Sequence, residues 1–487
     1  MKIAFAASEV VPFAKTGGLA DVAGALPVEL AKLGHDVKVF MPKYYSVDEN
    51  KFHLEYQSWA SPIPIRVGET VYDVHLHKSY LPDSNVEIYF LDCPHFFHRH
   101  NLYTNDIDED QRFICLSKGV IEVLQRLRWA PDVIHCNDWQ TGLIPLYIRD
   151  NYSWDQMFSH TSTVFTIHNI GYQGVFSKAT LLNAEIKESL FYHGGRIEHN
   201  GAVNFLKSGI SFADVINTVS ETYAKELLTP EYSAGMHHVL KYREKDFYGI
   251  VNGIDYSVWN PEIDKLIPHN YSAKDLSGKE KNKKELLSKF NMPYFEGVPL
   301  IGIVSRLAIQ KGFDLIQAAL SELMHFNAQW IILGSGEQEY ENMFQALHQQ
   351  VPDKVGVFLG YNNDLAHLVE AGADIFLMPS HYEPCGLNQI YSLKYGTVPV
   401  VRKTGGLADT VQDWNEYNTY GVDSGTGFSF VEYKPQPLVH AVQRALGDYH
   451  NKPVWKKIQQ NGMSKNFSWQ DSALKYEELY KKAKAKR

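Results

Sequence analysis

Cysteine is scarce in this chain. Of 487 residues only Cys93, Cys115, Cys136 and Cys385 are cysteines, far apart and without C-x-x-C spacing, which argues against a zinc ribbon and a disulfide framework and suits a reducing, cytoplasmic setting. A basic excess is missing as well: 47 Lys plus Arg stand against 56 Asp plus Glu, a formal charge of −9. A surface-wide nucleic-acid binder is therefore not expected. Long hydrophobic runs are also absent. Ser8 and Glu9 end the apolar start Ile3-Ala4-Phe5-Ala6-Ala7 before it reaches the length of a signal segment. No stretch approaches the ~18 apolar residues of a membrane span, so no membrane partner is expected.

What is present is an ordinary globular composition, 44% hydrophobic and 21% charged, long enough for two to four domains at roughly 100–200 residues each. Short apolar runs of strand length recur, each followed by a turn and an amphipathic segment, the pattern of βα units. In the first half the runs are Ile3 to Ala7, Val37 to Met41, Val133 to Cys136, Val164 to Ile167 and Val215 to Thr218. In the second half they are Leu300 to Val304, Trp330 to Leu333, Val355 to Leu359, Ile375 to Met378 and Val398 to Val401. Two such series predict an α/β chain with two parallel sheets, whose ligands gather at the carboxyl ends of the strands. A Pro-containing stretch over 261–299 separates them, with a lysine-rich helix at Lys274 to Lys289 and a hinge near Gly249 to Pro261. The last segment, Ser468 to Arg487, reads as a helix ending in a solvated basic run.

One heptapeptide occurs twice. Lys15-Thr16-Gly17-Gly18-Leu19-Ala20-Asp21 recurs as Lys403-Thr404-Gly405-Gly406-Leu407-Ala408-Asp409. Each copy follows an expected strand and opens a helix, so each pair of glycine amides is a candidate anion-binding helix start, beyond its plain use as a turn. Arg306 and Lys311, five residues apart after the first strand of the second half, supply a planar fork and a mobile charge suited to a departing diphosphate. Glu383 in Ser380-His381-Tyr382-Glu383-Pro384-Cys385-Gly386-Leu387 stands beside a Gly-containing helix start. Such a carboxylate suits sugar hydroxyls or developing positive charge.

In the first half Asn137-Asp138-Trp139 and His168-Asn169 follow strands in the same way, which suits Asp138 and His168 to hydroxyl recognition or to stabilising a cationic centre. Gly334-Ser335-Gly336 begins like a dinucleotide fingerprint, but Glu339 replaces its third glycine. His95, His98 and His100 lack an evident acidic or Cys set nearby and read as a polar loop rather than a metal site.

Taken together, Lys15-Thr16-Gly17-Gly18-Leu19, Asn137-Asp138-Trp139, His168-Asn169, Arg306 with Lys311, Glu383-Pro384-Cys385-Gly386-Leu387 and Thr404-Gly405-Gly406-Leu407 resemble the bacterial glycogen synthases and the related plant starch synthases. The resemblance runs in order along nearly the whole chain. It implies the glycosyltransferase B architecture, two Rossmann-like domains facing across a cleft. The boundaries expected are 1–248 for an acceptor-side catalytic domain and 249–468 for a nucleotide-sugar domain, with 469–487 crossing back to the first. It further implies transfer of glucose from ADP-glucose to the non-reducing end of an α-1,4-glucan with retention, in the cytoplasm, without metal or cofactor.

By the same resemblance, Lys15 and Gly18 meet the distal phosphate or sugar, while Arg306, Lys311, Thr404, Gly405 and Gly406 neutralise the diphosphate. Asp138, His168, Asn169, Glu383, Cys385, Gly386 and Leu387 hold the glucosyl group, Asn252 lies at the hinge, and Tyr361 lies near the adenine. The implied chemistry places Glu383, His168, Arg306, Lys311 and Lys15 at the reacting centre. A second Glu, found eight positions after the first in the wider group of retaining transferases, is replaced by Tyr391, a departure that glycogen synthases share. Another retaining nucleotide-sugar transferase is the alternative, with a non-catalytic glucan or nucleotide-sugar sensor behind it. A nicotinamide oxidoreductase lacks its fingerprint, and no motif of a pyridoxal-phosphate phosphorylase is found.

Overall fold

A computed structural model describes residues 1–487, which divide into two compact units. The first comprises Met1–Val219, Ala224–Gly253 and Trp469–Arg487; the second comprises Ser220–Tyr223 and Ile254–Ser468.

All ten apolar runs form strands. In the first unit the parallel strands lie in the order Phe247–Gly249, Val215–Thr218, Ser162–Ile167, Val133–Asn137, Lys2–Ala6, Asp36–Pro42 and Glu87–Asp92. These strands are continuous apolar runs because helices cover both sheet faces; Ile3, Ala4, Phe5 and Ala6 are fully buried. The sheet is mixed, however. Thr70–Tyr80 pairs antiparallel with Glu87–Asp92 and carries both Ile63–Val67 and Glu55–Tyr56 antiparallel beside it. A separate three-stranded antiparallel sheet joins Glu198–His199, Ala202–Asn204 and Val175–Phe176.

The second unit is a six-stranded parallel sheet, ordered Val355–Leu359, Gln329–Gly334, Leu300–Val304, Ile375–Met378, Val398–Arg402 and Phe428–Phe430. Each sheet reverses its strand order once around its first strand. In the first unit Lys2–Ala6 lies between Val133–Asn137 and Asp36–Pro42, and in the second Leu300–Val304 lies between Gln329–Gly334 and Ile375–Met378. Loops leaving such a reversal diverge to opposite faces and open a crevice, the place where α/β sheets hold ligands.

The closing helix, Trp469–Lys484, belongs to the first unit. Tyr476 and Tyr480 are fully buried in it, and its basic end is not simply solvated as expected. Lys484 bonds Asp132 at 2.6 Å, Lys486 pairs with Asp246, and Arg487 lies 3.5 Å from the buried Asp214. The lysine-rich helix Ser277–Lys289 likewise buries two of its lysines, Lys279 and Lys283. Burial lowers the pKa of the Lys279 ammonium to about 7, and Lys283 is held at 2.8 Å by Asp374.

Candidate active site

The first unit assembles its polar groups at the carboxyl ends of three adjacent strands. After Lys2–Ala6, the turn Lys15 to Gly18 is held from below by Glu9, which is buried. Glu9 accepts from the Thr16 amide, from the Gly17 amide at 3.1 Å and from the Thr16 hydroxyl, while the Tyr103 hydroxyl donates to it at 3.1 Å. The first repeat therefore does not offer the Thr16 and Gly17 amides to a ligand; an internal carboxylate has them. Gly18 opens the helix Gly18–Lys32 into open space, and Lys15 is exposed and paired with Asp21 at 2.6 Å.

Asp138 follows the strand Val133–Asn137 with φ 56° and ψ −178°, a region that only glycine enters without strain. Its carboxylate accepts from the His168 amide at 2.7 Å and from the Asn169 amide, so it clips this strand end to that of Ser162–Ile167. Burial pushes the pKa of its carboxyl up to about 7 and holds that of the His168 ring down at about 3, so the imidazole is neutral. The ring does not bring a positive charge. The Asn169 side-chain oxygen is taken by the Gly171 amide at 2.9 Å, and Asn252 is buried with its Oδ1 unpartnered.

In the second unit the strand-order reversal brings two predicted residues into contact. Lys311 closes the single turn Ile309–Lys311, and its Nζ lies 2.9 and 2.7 Å from the two oxygens of Glu383. Ser380 donates to the same carboxylate at 3.0 Å. This approach depends on Gly312, whose φ is +83° and whose place would put a Cβ 2.1 Å from the Pro379 carbonyl. The second repeat is used similarly: a Cβ on Gly405, at φ +45°, would meet the Glu383 carbonyl at 1.9 Å. The Gly406 amide donates to the carbonyls of Glu383 at 3.0 Å and Pro384 at 3.2 Å. The expectation that both repeats present glycine amides to an anion is thus corrected for Gly406 as for Gly17, because neighbouring backbone and side chain already accept from them. Gly405 and Gly406 seat the segment Glu383 to Cys385.

The other predicted residues of this unit lie around that segment. Cys385 is buried, Gly386 takes φ +70°, and Leu387 precedes the helix Asn388–Tyr395. Thr404 is fully buried before the helix Gly405–Thr410. Arg306 is exposed with its guanidinium 3.3 Å from Gln310, and Tyr361, 83% exposed, bonds Asn363 at 3.2 Å. Neither touches the Lys311–Glu383 pair. Tyr391 stacks on Trp259 with centroids 3.8 Å apart, and the other face of Trp259 lies 3.7 Å from the ring of His367. His367 and Tyr395 both bond the buried Asp264, at 2.7 and 2.6 Å.

Glu9, Asn137 and Ser380 hold the expected site residues in place, Asn137 through a 2.9 Å bond to the His168 ring, and residue type alone does not single them out. An acid at the end of the first strand, a few residues before a glycine pair, was the available signal for Glu9. The histidine loop also differs from its reading, since His98 does find a carboxylate, Asp92, at 2.9 Å. Asp92 in turn groups with His77 and Glu49, and the buried Lys43 supplies the cation there, 2.7 Å from Glu49.

Comparison with known proteins settles the family. Residues 2–242 match the starch synthase catalytic domain and residues 287–464 match glycosyl transferases group 1. A glycogen synthase of Geotalea daltonii is 44% identical over the whole length of both chains, and one of Thermotoga petrophila is 44% identical over 100% of this chain and 99% of its own. The chain belongs to the glycogen and starch synthase family. As a member of that family it is a glycosyltransferase with the two-domain glycosyltransferase B fold. The catalytic domain of starch synthase IV from Arabidopsis thaliana, bound to ADP and acarbose, superposes with a TM-score of 0.91 at 32% identity, covering 99% of each chain. A sucrose-phosphate synthase from Thermosynechococcus elongatus, at 19% identity and a TM-score of 0.57 over 99% of this chain and 98% of its own, shares the fold. No helix of the chain is long and apolar enough to cross a membrane.

Proposed function

We propose that this glycosyltransferase moves glucose from ADP-glucose to the non-reducing end of an α-1,4-glucan with retention of configuration, in the cytoplasm. The observation that carries the reading is the Lys311–Glu383 pair, seated by Ser380, Gly312 and Gly405 at the strand-order reversal of the second unit. A lysine charge held there is prepared before the donor arrives, so stabilising a departing ADP needs little reorganisation. Arg306, exposed and loosely held, closes on the diphosphate as a second cation.

The glucosyl carbon loses its bond to the diphosphate oxygen as the acceptor hydroxyl attacks from the same face. The electron pair of the broken bond stays on ADP, whose phosphate oxygen takes the proton of the attacking hydroxyl. Glu383, Asp138, His168 and Asn169 hold sugar hydroxyls, with Glu383 also balancing positive charge on the ring. Lys15 and the Gly18 amide contact the distal phosphate or sugar, and Thr404 lines the same phosphate site. Cys385, Gly386 and Leu387 meet the glucose, Tyr361 lies against the adenine, and Asn252 offers its buried carbonyl to the ligand.

Radiolabelled ADP-glucose supplied with glycogen tests the reading, with label expected in amylase-sensitive polymer. If UDP-glucose labels the polymer and ADP-glucose does not, the donor assignment is wrong. If neither labels it with folded protein, transfer to a glucan is wrong.

A further inference from the structure

We propose that Asn137 fixes the tautomer of His168, with the proton on Nε2, and so decides that the nitrogen by which His168 meets the glucose of the reading above is the bare Nδ1. The second clause rests on the transfer reading above; the first does not. Asn137 ends the strand Val133–Asn137 and is fully buried. Its Nδ2 donates at 3.0 Å to the Ala6 carbonyl, which can only accept. That bond fixes the amide: turned over, it would set two oxygens against each other and lose both partners. Oδ1 of Asn137 consequently faces Nε2 of His168, at 2.9 Å. An amide oxygen only accepts, so Nε2 carries the proton.

A neutral imidazole has one proton, and burial holds the ring's pKa at about 3, so a second does not bind near neutrality. Nδ1 is left with a lone pair, and no protein group is bonded to it. The ring is also anchored through its own backbone, whose amide donates to Asp138. Behind it lies a second neutral histidine. Thr166 donates to Asn217 at 2.6 Å and so accepts from His135 Nε2 at 2.6 Å, which leaves His135 Nδ1 to accept from the Tyr480 hydroxyl at 2.8 Å. Burial keeps the pKa of His135 near 3 as well. A neutral acceptor is what the reaction requires at this position, since an imidazolium would oppose the positive charge that builds on the sugar.

Histidine-selective 15N NMR of the full chain reads the tautomer directly, with a His168→Gln spectrum used only to assign the signals. The expected result is a protonated Nε2 and a bare Nδ1 for His168 from pH 6 to 9. A protonated Nδ1, or a mixture of the two forms, overturns the assignment of Asn137. In Asn137→Asp an ionised carboxylate takes the place of the amide oxygen, and the His168 titration should rise by about two pH units or more; an unmoved titration also counts against the contact. Should that variant not fold, the wild-type spectrum decides alone. In the chain saturated with ADP-glucose, and without acceptor, the Nδ1 resonance should move toward the hydrogen-bonded position. An unmoved Nδ1 removes the hydroxyl contact, whereas failure of ADP-glucose to bind at all counts against the donor reading and leaves the free-chain spectrum to judge the tautomer.

Discussion

Asp138 is held in an unfavourable backbone region with a carboxyl whose pKa burial raises to about 7 from an ordinary 3.8. Strain of this kind costs roughly 1–3 kcal/mol and persists where the surroundings over-determine it. The raised pKa has a definite sign. Below about pH 4 the group is protonated whether folded or unfolded; as pH rises toward 7 the unfolded chain alone loses the proton, and folding stability falls before levelling off. Between those two pH values the loss is on the order of 4 kcal/mol. Asp138→Asn, which keeps an oxygen for the His168 amide, is expected to melt at a higher temperature than the parent, with an advantage that grows from pH 4 to 7 and is then constant. Its turnover should fall if Asp138 holds a sugar hydroxyl as proposed. A melting advantage independent of pH would show that the carboxyl does not titrate as described. For Lys311→Ala, steady-state kinetics should show a turnover about 10²–10³ lower, the effect of removing one preorganised charge from a leaving group. An unchanged turnover would remove Lys311 from the mechanism.

At the scale of elements, the second glycine repeat acts by letting one backbone lie against another. Gly405→Ala brings a methyl group to 1.9 Å from the Glu383 carbonyl at a positive φ. The expected cost is about 1–3 kcal/mol or more, read as a lowered denaturation midpoint, together with lost turnover as the Glu383 segment shifts. Gly18→Ala meets nothing within 4 Å and should leave the midpoint within about 0.5 kcal/mol. The contrast separates packing glycines from open ones.

The repeat was plain in the sequence, but its division of labour was not, because Glu9 and the carbonyls of Glu383 and Pro384 reach these amides only through the fold. Ten of the parallel strands are legible for a physical reason: largely buried, they appear as apolar runs, whereas Glu87–Asp92, Phe247–Gly249 and Phe428–Phe430 are not among the runs read, the last two being only three residues long. Thr70–Tyr80 gives no such run because it mixes exposed and buried positions and carries His75, His77 and Lys78. Lys311 and Glu383 could be picked out singly as residues after strands, whereas their contact depends on the strand order of the sheet. Tyr391, in sequence only a departure from the two-Glu pattern, is one plate of an aromatic stack that ties the helix Asn388–Tyr395 to Trp259.

For the whole molecule, the formal charge of −9 describes the surface, while the candidate phosphate-binding cations are a handful of local groups. Acidity overall and affinity for an anion are compatible for that reason. The chain's end is structural to the first unit: Tyr480 donates to His135, and Tyr476 lies 3.3 Å from the Asn217 amide. Deleting residues 469–487 should expose that buried face and give a chain that aggregates or melts well below the parent in a thermal scan. An unchanged melting temperature would mean that the helix does not support the unit.

Lys311 and Glu383 are proposed to form a prepared glucosyl-transfer site for an adenine-linked donor. The decisive experiment is incorporation of labelled glucose from ADP-glucose into glycogen, run side by side with the parent chain and with Lys311→Ala and Glu383→Ala variants that retain their fold. Rapid incorporation by the parent and losses of about 10²–10³ in each variant are expected. A parent that incorporates nothing, or variants as fast as the parent, would rule out this role for Lys311 and Glu383.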